Sequence, residues 1–271
     1  MRVFSRAGVL LLLLAAVAFA VLWFAARRVW LELGDPALLT GYCLLAVMVL
    51  LALFTARKRL SMVPLGRASV WLTLHVIGGL LTIALYGLHV GAFWPTGGYE
   101  IVLALLFYIV VVSGIVGFLV QSICPTRLTR SGEEVIYERI PAELARLREA
   151  AESVVLACTE KSSSDTLARH YDEVLHWYFQ KPRFFMSNVF GSLQAQHWLE
   201  NQARSLARYL SPSEQDFEQQ LYALAEAKSE IDAQYALQSL MKWWLFFHVP
   251  PSAALLVFAV WHLIVVNLYA V

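Results

Sequence analysis

The pattern of apolar and polar positions divides the chain into long uninterrupted apolar runs and one polar stretch with helical periodicity. Gly8 to Ala26 is uncharged and flanked by Arg2, Arg6, Arg27 and Arg28. Ala18-Phe19-Ala20 mimics a signal-peptide cleavage site, but the apolar run continues six residues further, which suits a retained anchor. Asp35-Pro36 predicts a turn, and a second run extends from about Ala37 to Thr55 before Arg57, Lys58, Arg59 and Arg67. The third runs from Val70 to Phe93. Trp94-Pro95-Thr96-Gly97-Gly98-Tyr99 then reads as a tight turn. The fourth run is Ile101 to Gln121, ended by Pro125 and Thr126, and the fifth is Trp243 to Val271. A helix of about 20 apolar residues crosses a bilayer. The pattern therefore predicts an all-α polytopic membrane bundle of five spans.

Between the fourth and fifth runs the periodicity changes to that of amphipathic helices. Pro141 opens a segment with Leu144, Leu147, Val154 and Val155 on one face. A second covers Thr166 to Gln180 through Leu167, Tyr171, Val174, Leu175 and Tyr178, and a third covers Ser192 to Leu210. Ser211-Pro212-Ser213-Glu214 reads as a capping box that starts a long helix continuing into the fifth span, with a kink expected at Pro250-Pro251. The expected organisation is residues 1–121 as spans one to four, 122–241 as a helical water-facing insert, and 242–271 as span five.

Composition agrees: 59% of residues are hydrophobic and 15% charged, against an apolar share of about 45–50% in soluble domains. The net charge of +1 gives no footprint for nucleic acid. The distribution of charge is more informative. Of the acidic residues, all but Glu32, Asp35 and Glu100 lie between Gln121 and Lys242. Basic residues gather at the N-terminus, between spans two and three, and after span four at Arg127 and Arg130. The positive-inside rule then puts the N-terminus and insert in the cytoplasm and the C-terminus outside. An integral protein of a bacterial inner membrane is the expected setting. Cys43, Cys124 and Cys158 form no sequence-local pair, and Cys-x-x-Cys-His is absent, so neither a c-type haem nor an iron–sulfur cluster is indicated.

The candidate chemistry rests on histidine. His75 and His89 lie fourteen residues apart in span three, and His248 and His262 lie fourteen apart in span five. Fourteen residues are two heptads, so both imidazoles of a span stay on one seam, about 21 Å apart along the axis. Imidazole inside a membrane needs a partner. With five spans, the third and fifth run in the same direction, which pairs His75 with His248 and His89 with His262. Two-imidazole sites suit haem iron, while zinc needs more protein ligands. The expected cofactors are two non-covalent, bis-histidine b-type haems. His170, His176 and His197, in the insert, read as surface or packing residues.

These paired His-x13-His helices resemble those of respiratory cytochrome b, and their placement on spans three and five resembles the ferric reductase and NADPH oxidase transmembrane domain. The resemblance covers spans two to five and rests on the four histidines; the Pro-Glu-Trp-Tyr quinol-site signature is absent. It implies electron transfer across the bilayer as the cytochrome b subunit of a redox complex. Implied partners are the lipid, a flavin, iron–sulfur or cytochrome c subunit, and a quinone.

Gly78, Gly79, Gly87 and Gly91 lie beside the span-three histidines, and Gly114 and Gly117 could face a ring from span four. Arg67, Arg127, Arg130 and Lys242 are candidate partners for haem propionates. Trp71, Trp94, Tyr99, Trp243 and Trp244 read as an interfacial aromatic belt, and Trp261 and Phe247 as lipid or packing contacts. Two alternatives are a terminal reductase of a small acceptor such as ferric iron, and a non-enzymatic scaffold with structural histidines.

Overall fold

In the computed structural model, residues 6–59, 67–128 and 135–269 are described. Among them there is no strand, and the chain is an all-α bundle. Five helices are long and apolar enough to cross a membrane: α1 (Arg6–Leu31), α2 (Ala37–Arg59), α3 (Ala68–Val90), α4 (Gly98–Leu128) and α10 (Pro212–Tyr269). The chain forms two compact units, Met1–Gln121 with Trp244–Val271, and Ser122–Trp243.

The spanning unit is organised on α3, which packs against α1 and α2. Its interior is thin: Leu44, Ile77, Leu85, Ala104, Phe107 and Leu255 are buried, while most other large aliphatics are exposed. That is what a bundle surrounded by lipid requires. Asp35 accepts the Ala37 amide at 2.8 Å where α2 starts. The α3 helix stops at Gly91, whose φ of 66° admits the left-handed turn and returns its N–H to the Gly87 carbonyl at 3.1 Å.

Pro125 does not end the fourth helix, as its sequence had suggested. The helix continues to Leu128. Close to a C-terminus proline forfeits a single backbone bond, and little helix remains beyond it to break. Likewise α10 stays helical through Pro250 and Pro251. There the Ser252 hydroxyl donates to the His248 carbonyl at 2.6 Å.

The second unit has an ordinary closed core. On α5 (Ile140–Ser162), Ile140, Leu144, Leu147, Ala151, Val155 and Cys158 form one buried stripe at three- and four-residue spacing. Each fully buried leucine contributes about 1.5–3 kcal/mol. The stripe packs on Leu167, Tyr171, Leu175, Tyr178 and Phe179.

The expected second insert helix is present but interrupted. A π turn, Tyr171–Leu175, separates α6 (Thr166–His170) from α7 (His176–Phe179). It adds a residue per turn, which periodicity at 3.6 does not register. The expected third helix is α9 (Gln194–Leu206), and ahead of it stands a short helix that periodicity does not mark, α8 (Phe185–Phe190). The turn between them needs Gly191 at φ 75°. At the start of α10 the Glu214 carboxylate accepts the Ser211 amide at 2.9 Å and its hydroxyl at 2.7 Å.

Candidate functional site: two histidine pairs in the spanning unit

The four histidines lie on α3 and α10, two on each. His75 and His248 face each other, with ring centroids 6.3 Å apart and planes crossing at 78°. An imidazole centroid lies about 1.1 Å from its nitrogen and a metal–imidazole bond is about 2 Å, so two rings on one ion stand about 6.3 Å apart. Two imidazoles at that spacing could reach one metal ion between them. Of the other two histidines, His89 lies beside Thr40 and Gly41, and His262 beside Tyr99.

Hydroxyls on neighbouring helices fix the rings. Ser113 of α4 donates to the Val110 carbonyl at 3.0 Å and lies 2.9 Å from Nδ1 of His248. With the hydroxyl proton on the Val110 carbonyl, Ser113 can accept from Nδ1–H, the tautomer that leaves Nε2 with its lone pair. Thr40 of α2 repeats the arrangement at His89. It donates to the Pro36 or Ala37 carbonyl at 3.0 and 3.1 Å, and sits 3.1 Å from Nδ1. Such outer hydrogen bonds hold metal-binding imidazoles in one tautomer and orientation. By contrast, Nδ1 of His75 has no hydrogen-bond partner, and that ring's polar contact is with the backbone of Leu51.

Aromatic rings complete each pair. Trp244 stacks on His248 at 5.5 Å and 18°, and its indole N–H donates to the Ser113 carbonyl at 2.7 Å. Tyr99 stacks on His262 at 6.0 Å and 21°, and donates to the Phe258 carbonyl at 2.6 Å. Phe54 lies against His75 at 5.1 Å. Trp244 and Tyr99, expected only as interfacial anchors, are therefore neighbours of the histidines. Trp261 and Phe247 are exposed.

The glycines divide by role. A Cβ on Gly41 would come within 2.9 Å of the His89 ring, so the absence of a side chain there admits that imidazole. At Gly117 a Cβ would collide with the Trp244 indole, and at Gly78 with Leu51, so both serve helix packing. Gly114 faces His248 with room for ordinary contact, and Gly79 and Gly87 border open space.

The proposed propionate cations are placed differently. Arg67 is exposed and extended ahead of α3. Within the second unit, Arg127 donates to the Val189 and Asn188 carbonyls at 2.5 and 2.6 Å. Lys242 pairs with Glu138 at 2.7 Å and covers the Tyr137 ring at 3.7 Å. Arg130 lies outside the described residues. Near His89, Arg27 lies over Trp23 at 5.3 Å and lines a cavity of about 330 Å³ with Trp30, Pro36 and Leu88.

Among the described residues no three His, Cys, Asp or Glu side chains converge. The insert histidines bond locally: His170 Nε2 lies 3.1 Å from the Tyr222 hydroxyl, and His176 Nε2 lies 2.8 Å from Gln180. Burial lowers the pKa of His170.

Sequence spacing identified the four histidines but missed Thr40, Gly41 and Ser113. The available signal was a hydroxyl or glycine in an otherwise aliphatic span. Fold and site together define a class, a polytopic α-helical membrane protein with two histidine pairs. No family model, curated protein or solved structure matches the chain.

Proposed function

We propose that the protein carries electrons across a membrane through two b-type haems, ligated by His75 with His248 and by His89 with His262. The observation that carries this reading is the 6.3 Å separation of the His75 and His248 rings. The residues present fit the group: Ser113 and Thr40 hold their imidazoles with Nε2 available, Nδ1 of His75 lacks a partner, and Gly79 borders open space. Haem supplies one-electron chemistry at its iron. The chain's residues would supply neutral imidazole nitrogens to it, with Ser113 and Thr40 holding two of the rings in orientation. Trp244 and Tyr99 cover one imidazole each.

Donor and acceptor are then separate molecules: a flavin, iron–sulfur or cytochrome c subunit, or a quinone. The basic residues beside spans two to four favour a bacterial inner membrane with N-terminus and insert in the cytoplasm. A pyridine haem count with reduced-minus-oxidised spectra tests the reading. We expect two haems per chain. His75→Ala and His248→Ala should remove the same spectral component, and His89→Ala and His262→Ala the other. A chain purified without haem, or loss of different components within a pair, overturns it.

A further inference from the structure

We propose that α8 is an interfacial anchor, lying on the bilayer with Met186 and Phe190 in the lipid. The helix has six residues, and its Met186 and Phe190, one turn apart on one face, are 61% and 77% exposed. Leu193 beyond it is exposed too, while Asn188 on the opposite side is buried. In a segment carrying polar residues all around it, so concentrated an apolar face calls for an apolar covering.

The covering is identified by what holds α8. Its last carbonyls, at Asn188 and Val189, are bound by the Arg127 guanidinium, which also packs against Gly191. Arg127 belongs to the last turn of α4, a helix of membrane-spanning length and hydropathy. Along α4 an exposed apolar stripe runs through Val112, Val116, Leu119 and Ile123, at spacings of four, three and four residues. Arg127 is the next member of that stripe, four residues after Ile123. Its guanidinium ties α8 to the last turn of α4.

Charge supports the same occupant. No Asp or Glu occurs between Glu173 and Glu200, in an insert that holds most of the acidic residues, while Lys181 and Arg183 lie within that gap. Arg183 covers the half-exposed Trp177 at 3.9 Å. A short apolar face flanked by basic and aromatic residues is the composition of a surface-bound helix on anionic lipid.

The test uses the full chain reconstituted in vesicles of three parts phosphatidylcholine to one part phosphatidylglycerol. Phe190→Cys and, separately, Met186→Cys carry a nitroxide label, with Arg146→Cys on the exposed side of α5 as the aqueous reference. Cys43, Cys124 and Cys158 are changed to alanine in all three. Both α8 labels should collide severalfold more with oxygen, and severalfold less with a water-soluble nickel chelate, than the reference label. Equal nickel accessibility at all three positions overturns the proposal. So does protection from both oxygen and nickel at α8, because protein rather than lipid would then cover the face. Neither readout depends on haem.

Discussion

The spanning unit and the insert place their polar groups under opposite rules. In the spanning unit the apolar residues mostly face outward, and the interior is marked by histidine, serine, threonine and glycine. The insert reverses this, with an aliphatic and aromatic core around one buried ion pair. Lys228 is fully buried, bound to Asp232 at 2.5 Å and to the Lys181 carbonyl at 3.0 Å, and it lies 4.0 Å from the Tyr178 ring. The Arg183 amide donates to the same Asp232 oxygen. Burial pushes the Asp232 carboxyl up to about 6 against the pull of Lys228, and it lowers the pKa of Lys228. Polar groups in the spanning unit are therefore scattered singly along its helices, whereas those at the centre of the insert are gathered around one ion pair.

That difference is sharpest when one polar group is removed from each unit. Lys228→Met leaves a buried carboxylate without its partner and should cost about 3–5 kcal/mol of stability, as should Asp232→Leu. The double variant should recover most of the loss, since the desolvation of both charges goes with them. Guanidinium unfolding of the full chain in detergent, followed by near-ultraviolet circular dichroism, measures this. Haem content should not change. If Lys228→Met instead removed a haem while leaving the unfolding midpoint alone, the contrast between the two units would be gone.

At the histidine pairs, Ser113→Ala should weaken haem retention about 10–100-fold at the His75–His248 pair, the usual cost of losing an outer hydrogen bond to a ligating imidazole. Thr40→Ala should do the same at the His89–His262 pair. Competition with apomyoglobin as a haem acceptor resolves the two. If Ser113→Ala released both haems equally, its effect would lie in helix packing rather than in orienting one ring.

How much of this was legible in the sequence differs between the units for a physical reason. Unbroken apolar runs identified five spans, because the bilayer demands length, but they could not say which side of a span faces protein. In α4 the exposed Val112 and the buried Phe107 belong to the same kind of residue run. Only rare polar residues break that degeneracy, and the histidines, Ser113 and Thr40 are such residues. Nothing along the chain separates Trp244 and Tyr99 from belt residues, since an interfacial aromatic and one stacked on imidazole have the same neighbours in sequence.

In the insert, water makes apolar periodicity informative, and Ile140 to Cys158 follows it. Periodicity failed there at the π turn, where the backbone departs from 3.6 residues per turn, and at α8, which is too short at six residues to show a repeat.

Two smaller effects extend the comparison to helix contacts and ends. Gly117→Ala places a methyl group in the space of the Trp244 indole, and should cost about 1–3 kcal/mol. Because Trp244 stacks on His248, the variant should also alter the spectrum of the His75–His248 haem. A stability loss with unchanged spectra would separate Trp244 from the site.

The insert counterpart is the start of α10, where Ser211→Ala should cost about 1 kcal/mol, the usual contribution of a cap. Its pH dependence identifies the partner. The Ser211 amide, bonded to the Glu214 carboxylate, holds that carboxyl below its ordinary pKa. A depressed folded pKa gives stability that is present above the unfolded value and lost as pH falls through the folded one. Glu214→Gln should therefore be less stable than the parent at neutral pH, with the difference shrinking steadily under acid once both carboxyls are protonated. Thermal unfolding of the two proteins between pH 7 and pH 3 measures it. A difference independent of pH would mean that the cap works through shape alone, and that the carboxylate charge contributes nothing at this helix end.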